Sequence, residues 1–335
     1  MRVLLTGIGG SIGCHTMARI FGQTDWEIVG IDSFRHKGLT DRITYFLDEH
    51  PDWSKRLKIL QHDLTAPISD IMVDKIGHID YVISMAALSD VEDSIQNPAP
   101  FIVGNVQIAT NVLEYARKVK LSAFVQVSTD EVYGPSGPDQ QHAEWSTILP
   151  SNPYSASKAA QEAIAISYWR SYKVPLIITN TMNNFGEMQQ PSKFPAMVQI
   201  KVTNGEQVII HGNEKSIGTR YYIHSNTFAD ALIYILKNTR PYQHVDGEID
   251  RPDRYNIVGS LRLNNLELAE RIANCLGKKL KYKMVDFHAA RPGHDRHYGL
   301  DGAKLEKLGW KPNRSFGIAL ADTIEWSRQH PEWLK

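Results

Sequence analysis

The chain has 335 residues, with Lys+Arg and Asp+Glu equal at 37 each, so its formal net charge is zero. That balance removes the electrostatic case for nucleic acid or an anionic membrane as the main partner. It leaves room for an anionic small molecule held by a few local arginines. A hydrophobic content of 42% with 22% charged residues is ordinary for a globular protein, and the length suits an α/β unit with an appended lobe.

Two distant cysteines, Cys14 and Cys275, make neither a disulfide framework nor a metal-ligand cluster. They point to a reducing compartment, and no metal is expected. The first strand starts at Arg2, and no apolar run approaches the ~18 residues of a membrane span. The expectation is a cytoplasmic protein with no membrane contact.

In chain order, β-rich runs alternate with helical patterns. The first run, Arg2–Thr6, leads into Gly7-Ile8-Gly9-Gly10-Ser11-Ile12-Gly13. Gly7 suits a tight turn, Gly10 lets backbone approach a pyrophosphate, and Gly13 lets a helix pack closely on its strand. Ser11 and Ile12 open that helix, whose N-terminus faces the phosphates. Cys14 reads as a packed small residue. The second run, Glu27–Asp32, ends on an acid placed to accept both ribose hydroxyls and to repel a 2′-phosphate. That predicts NAD, although Arg35, His36 and Lys37 follow at once and would argue for NADP. The third run, Leu57–Gln61, leads to Asp63 and Leu64, placed to hold adenine. The fourth, Tyr81–Met85, leads to Ala86 and Ala87, small enough for a dinucleotide to lie against the backbone.

The fifth run, Ala123–Ser128, is continuously apolar apart from Gln126. Blocks of this kind suit strands buried on both faces, and their alternation with helices implies a parallel, doubly wound sheet. The run ends in Ser128-Thr129-Asp130-Glu131-Val132-Tyr133-Gly134. Ser128 is placed toward the cofactor, and the Thr129 hydroxyl can bridge a substrate and Tyr154. Oxidation at one sugar carbon acidifies the proton on the next. Asp130 and Glu131, held in different environments, can then divide acid and base work.

Tyr154-Ser155-Ala156-Ser157-Lys158 puts a tyrosine and a lysine on one helical face. An ammonium beside a phenol favours the phenolate, which makes Tyr154 a base for a hydroxyl proton. Lys158 can also reach the nicotinamide ribose. The segment Tyr154–Tyr172 is apolar nearly all round, which predicts burial on two sides, with a second subunit favoured over the lobe for the outer one.

The last runs are Leu176–Thr179 and Tyr255–Val258. Asn183–Gly186 and Gln189–Pro191 read as loop, and residues 246–255 and 289–298 are polar. They suggest a lobe of loops and short elements over the C-terminal strand ends, where open α/β sheets bind ligands. The division expected is a dinucleotide-binding domain at 1–180, with a return segment near 221–258, and a mainly substrate-binding lobe at 181–335.

On these residues the chain resembles the extended short-chain dehydrogenase/reductase family over essentially its full length, and within it the nucleotide-sugar 4,6-dehydratases. Residues 128–134 are similar to that subgroup's signature. So are Arg291-Pro292-Gly293-His294-Asp295-Arg296-His297-Tyr298 and Leu308-Gly309-Trp310-Lys311-Pro312. The resemblance implies a Rossmann-like doubly wound parallel sheet with a smaller C-terminal lobe, NAD as cofactor, and a nucleotide-diphosphate hexose as substrate. It also implies a homodimer through helices near 101–118 and 154–172. By the same likeness Tyr154 takes the O4 proton as the C4 hydride passes to NAD. Glu131 removes the C5 proton, Asp130 protonates the leaving C6 hydroxyl, and the hydride returns to C6. Ser89, Asn183, Lys193, Arg220, Asn256, Arg291 and His294 are implied around the nucleotide diphosphate, a role that suits arginine's bidentate fork. The chain departs from the pattern at Ser84, Asp90 and Asp93, where the subgroup usually has His, His and Arg. Two competing readings are a 4-epimerase sharing the redox step and a nucleotide-sugar or dinucleotide binder without turnover.

Overall fold

A computed structural model of the chain describes residues 1–36, 38–137, 139–213, 216–242, 251–286 and 295–335. Its strands are β1 (Arg2–Thr6), β2 (Glu27–Asp32), β3 (Leu57–Gln61), β4 (Tyr81–Ser84), β5 (Ala123–Thr129), β6 (Leu176–Thr181), β7 (Asn183–Phe185), β8 (Val208–Asn213), β9 (Ser216–Ile217), β10 (Thr219–His224), β11 (Asp253–Ile257), β12 (Leu261–Asn264) and β13 (Tyr282–Val285). Seven of them form one parallel sheet in the order β11-β6-β5-β4-β1-β2-β3. The order reverses between β1 and β4, and such a reversal opens a crevice at the C-terminal strand ends. Thr6 lies opposite Ser84 there. Its hydroxyl oxygen accepts the Met85 and Ala86 amides at 3.0 and 3.1 Å, drawing the chain after β4 against the glycine turn after β1.

The helices are α1 (Ser11–Gln23), α2 (Leu39–Glu49), α3 (Asp70–Ile76), α4 (Val91–Gln96), α5 (Pro98–Ala116), α6 (Pro153–Tyr172), α7 (Phe194–Asn204), α8 (Ser225–Asn238) and α9 (Asn265–Cys275). Two more, Ala303–Lys307 and Phe316–Gln329, follow near the C-terminus. Successive strand residues point to opposite faces. Val3, Leu5, Ile28, Ile83 and Val125 therefore share a core with α1 and α8, while Leu4, Val29, Val82 and Phe124 share one with α5 and α6. The strand blocks are apolar at consecutive positions because both faces are covered. No described helix is long and apolar enough to cross a membrane.

One expectation changes on folding. Asn183–Phe185, read as loop, is β7, running parallel to β10 with Asn183 opposite Tyr222. The open edge of β10 supplies the pairing that two asparagines would not seek alone. Helix α6 has an inner and an outer side within the one chain. Ser155, Ser157, Lys158, Gln161 and Glu162 are buried, whereas Ala156, Ala159, Ala160 and Ile164 are half-buried and Ala163 is exposed. Its first half turns polar groups inward, toward partners that only the fold supplies.

Beyond β6 the chain forms a separate core. Phe185, Val198, Val202, Ile210, Leu268 and Ile272 pack with Phe316, Leu320 and Ile324. Glu187 ties this region to α1. Its Oε2 lies 3.0 Å from His15 Nε2 and 3.2 Å from His224 Nε2, while Thr323 donates to Oε1 at 3.3 Å. Burial opposes the charge on Glu187, but the two imidazoles outweigh it and hold the carboxyl far below its usual range.

Candidate active site

A cleft of about 1530 Å³ follows the C-terminal strand ends from the glycine turn to the region beyond β6. Gly7, Gly10, Ser11, Ile12, Gly13, Asp32, Asp63, Leu64, Ala86, Ala87 and Ser128 line one part of it, as the sequence pattern predicts. Gly7 sits at φ 72°, and a Cβ there would lie 3.1 Å from the Ala86 Cα. A Cβ on Gly13 would meet the Gly7 carbonyl oxygen at 2.1 Å, so α1 docks on its own turn only because that position is bare. The Asp32 carboxylate accepts the Gly9 and Phe34 amides at 3.0 and 3.1 Å. Arg35 donates to Asp63 at 2.9 Å, so its guanidinium is already engaged beside the acid. Lys37 lies outside the described residues.

Strand β5 delivers the acids. Thr129 caps a 3₁₀ turn at Asp130–Tyr133, accepting the Glu131 amide at 3.3 Å and donating to Asp130 Oδ1 at 3.1 Å. Val132 and Tyr133 anchor the turn below, against Met182, Tyr298 and Leu300. Burial, then the neighbouring Glu131 charge, pushes Asp130 up to about 7, and its Oδ2 has no hydrogen-bond partner among the described residues. Glu131 is also raised by burial, but Asn152 and Tyr298 both donate to its Oε2, at 3.2 and 3.3 Å, and Arg220 adds positive charge. The two acids therefore sit in different environments, Asp130 with one oxygen unpartnered among the described residues and Glu131 with two donors on one oxygen.

Helix α6 delivers Tyr154 and Lys158, both lining the cleft. Asn152 caps the helix and Pro153 occupies its first turn, so the start is sharply defined. Tyr154 does not fit the expected electrostatics. Burial and the charges of Glu131 and Asp130 hold its phenol well above its usual value, opposed by a hydrogen bond with Thr129. Lys158 does not figure in that balance. Its ammonium donates instead to the Val127 carbonyl at 2.8 Å and to Gln161 Oε1 at 2.6 Å. Burial brings Lys158 down to about 8, against a pull from Glu162.

The residues implied for the diphosphate divide. Ser89, Asn183, Lys193 and Arg220 line the cleft. Lys193 Nζ lies 3.0 Å from Asp90 Oδ2, so the departure at Asp90 places a counter-ion on the expected phosphate ligand. Burial opposes ionisation of Asp90, but Lys193 and the α4 amides that Asp90 caps bring it below the usual carboxylate range. Arg220 donates to three backbone carbonyls, those of Thr219 (2.9 Å), Arg296 (2.8 Å) and Asp295 (2.7 Å), and lies 4.3 Å over the Tyr298 ring. It holds the 295–298 segment in place besides facing the cleft.

Asn256 requires a correction. It is fully buried in β11, outside the cleft lining, and its amide donates to the His142 and Asp301 carbonyls at 2.9 and 3.0 Å. Ser84 is likewise buried, away from the cleft. Arg291 and His294 lie outside the described residues.

Three groups at the site were not singled out from sequence. Asn152 and Tyr298 hold Glu131. Asn105 donates to Ser157 Oγ at 2.8 Å and accepts the Leu88 amide at 2.8 Å, joining α6 to the loop after β4. The Asn-Pro pair before Tyr154 was a helix-start signal, and Tyr298 stood inside the run 291–298. Asn105 left no local signal.

Comparison with known proteins agrees with this geometry. The family model described as GDP-mannose 4,6 dehydratase matches residues 4–323. A low-salt glycan biosynthesis protein of Haloferax volcanii is 32% identical, covering 97% of this chain and 98% of that protein. A dTDP-glucose 4,6-dehydratase of Streptomyces niveus is 31% identical over 99% of this chain and 94% of that one. Among solved structures, the dTDP-glucose 4,6-dehydratase DesIV from Streptomyces venezuelae, with NAD bound, superposes with a TM-score of 0.87 at 29% identity, covering 100% and 99%. With the glycine turn, the paired acids and the Tyr-Lys helix in one cleft, and a family match along nearly its whole length, the chain belongs to the GDP-mannose 4,6 dehydratase family of extended short-chain dehydrogenase/reductase enzymes.

Proposed function

We propose that the protein is an NAD-dependent nucleotide-sugar 4,6-dehydratase, converting a nucleotide-diphosphate hexose to its 4-keto-6-deoxy form. The observation that carries this is the adjacent pair of Asp130, buried with one oxygen unpartnered among the described residues, and Glu131, half-buried and held by two donors, beside Tyr154 in the cleft. The dinucleotide end fits the cofactor. The Gly7–Gly13 turn is bare where side chains would block it, Asp32 stands at the ribose position, and the buried Ser128 Oγ has no partner among the described residues. The relatives named dTDP-glucose 4,6-dehydratase support the same reading.

NAD bound there supplies a hydride acceptor at C4 and later a donor at C6. The chain's own residues manage the protons. Tyr154 receives the O4 proton, with Thr129 hydrogen-bonded to its phenol. Bringing that phenol down from its present raised state requires cation charge, which Lys158 stands one helical turn away to provide. Glu131 accepts the C5 proton. Asp130, pushed up to about 7, retains a proton near neutrality for the departing C6 hydroxyl. Among the described residues, Lys193, which would have to exchange its Asp90 partner, and Arg220 are cleft cations suited to a diphosphate.

The exposed apolar residues of α5 and the end of α6 support a homodimer through those helices. Ile102 is 42% exposed and Val103 and Tyr172 54% and 53%.

The test is mass spectrometry of the purified protein with dTDP-, UDP-, CDP- and GDP-hexoses in heavy water. Loss of one water with one solvent deuterium gained is the expected result. Unchanged mass with altered chromatography would assign a 4-epimerase instead. In Glu131→Gln, C4 oxidation persists while deuterium entry at C5 stops.

A further inference from the structure

The side chain of Asn152 performs two tasks. Its Oδ1 accepts the Ser155 backbone N–H at 2.9 Å, while the Asn152 backbone N–H donates to Ser155 Oγ at 3.2 Å, closing a reciprocal cap on α6. Its Nδ2 donates to Glu131 Oε2 at 3.2 Å. Tyr298, which lines the cleft, donates its hydroxyl to that same oxygen at 3.3 Å. Both residues are buried, 5% and 3% exposed, so these bonds act where water screens them little.

The residue type is informative. Asp, Ser and Thr cap helices about as well as Asn. Asp has no donor when ionised, and Ser and Thr carry their donor on the same short oxygen that caps. Only the carboxamide caps with one atom while donating from another.

We propose that Asn152 is a positioning residue for Glu131, so that the cap of the helix carrying Tyr154 and Lys158 also sets the base that works beside them. The inference rests on the reading of Glu131 as the C5 base. Asn152 and Tyr298 fix Oε2. Both donors go to Oε2, so Glu131 Oε1 is the oxygen left to take the proton. In that step the C5–H bond breaks, the proton goes to Oε1, and the electron pair moves into the enolate of the 4-keto sugar. It then forms the C5–C6 double bond as the C6 hydroxyl leaves with the proton of Asp130.

Two donors on one oxygen also favour the carboxylate over the acid. Burial lifts Glu131, and Asn152 works against burial more than Tyr298 does. The other titratable groups acting on or beside Glu131 are Asp130, Tyr154, Arg220 and Asp295. All remain in place when Asn152 is replaced.

The experiment uses the full chain and Asn152→Asp, which keeps the cap and removes the donor. Asn152→Ser and Tyr298→Phe serve as variants without an added charge. Infrared difference spectra against Glu131→Gln in each background read the Glu131 carboxyl titration directly. Exchange at C5 is followed in heavy water across pH with the active nucleotide sugar. Asn152→Asp is expected to raise the Glu131 titration by about one unit or more. The acid limb of C5 exchange should move with it, lowering the rate at pH 7 by about tenfold. C4 oxidation, read at the absorbance of the reduced dinucleotide, should fall less, and the melting temperature should stay close to that of the parent. Asn152→Ser and Tyr298→Phe are expected to give smaller shifts in the same direction. A Glu131 titration unmoved in all three variants overturns the proposal whatever the substrate. A titration that moves, in a parent protein that exchanges no proton with any nucleotide sugar, upholds the positioning role and overturns the dehydratase reading.

Discussion

The two ends of the cleft are built in opposite ways. The dinucleotide end is made largely of backbone: a glycine turn, an alanine pair and the amides of α1, with Asp32 and the Arg35–Asp63 pair as charged side chains at the strand ends. The end proposed to take the sugar is made of side chains brought from five distant segments: Asp130 and Glu131, Tyr154 and Lys158, Lys193, Arg220, and Tyr298. A surface made of backbone tolerates almost no added atom. A surface made of side chains distributes its work, so removing one group weakens a function without deleting the site.

The largest effect is expected where backbone meets backbone. Gly13→Val places carbon at about the position where the Gly7 carbonyl oxygen stands, with a Cβ only 2.1 Å from it. Dinucleotide binding by calorimetry should vanish, and the melting temperature should fall with a loss of roughly 3 kcal/mol or more. Retained affinity would mean that the turn can open, and the contrast between the two ends would fail.

Tyr154→Phe comes next. It removes one oxygen from the side-chain end, so turnover should fall by about 10²- to 10⁴-fold while dinucleotide affinity is kept. Parallel loss of binding would show that the ends are not separable.

Arg220→Lys sharpens the comparison. Lysine's single compact ammonium cannot reproduce the spread of a guanidinium whose Nη1 and Nη2 reach three carbonyls, and each charged hydrogen bond is worth roughly 1.5–3 kcal/mol. Stability should fall together with the affinity for nucleoside diphosphates. A change in affinity alone would make Arg220 a ligand and nothing more. Asn256→Ala is the control within β11. It should cost about 1–3 kcal/mol of stability through two lost carbonyl bonds, with the Michaelis constant unchanged.

The smallest effect is a pH dependence. Asp130 is raised in the folded chain to about 7 from an ordinary value of 3.8. Between these values the native state holds more protons at this position than the unfolded chain does, so its contribution to stability declines as pH rises from about 4 to 7. Asp130→Asn should remove that decline in denaturant titrations at several pH values. In the parent, the acid-dependent elimination should weaken as pH rises through about 7.

The backbone end was largely legible in the sequence. Strands β1 to β3 begin and end where their apolar runs do, and the glycines carry their reasons locally. At the side-chain end residue identities were legible and their partners were not. Nothing near Lys158 announces that the Val127 carbonyl will take its ammonium, whereas Gln161, three residues on along α6, was within reach of helical spacing. Nothing near Arg220 announces the carbonyls of 295 and 296. Asn256 resembles a ligand in the chain and is a buried brace in the fold, because its partners, His142 and Asp301, are distant in sequence. Asn183–Phe185 became a strand for the same reason, through the edge of β10.

The seventh strand of the central sheet is the last of the seven to be synthesised. A growing chain completes β6 at Thr181, then passes through β7 to β10 and α8 before β11 can pair along its edge. Until then β6 presents unpaired backbone. Glu162, fully buried in the finished fold, lacks its partner Arg254, which reaches it at 2.7 Å only from β11. The dinucleotide half is thus not a self-sufficient folding unit during translation. A fragment ending at Thr181 should remain aggregation-prone, and supplying the rest of the chain as a separate piece should rescue it.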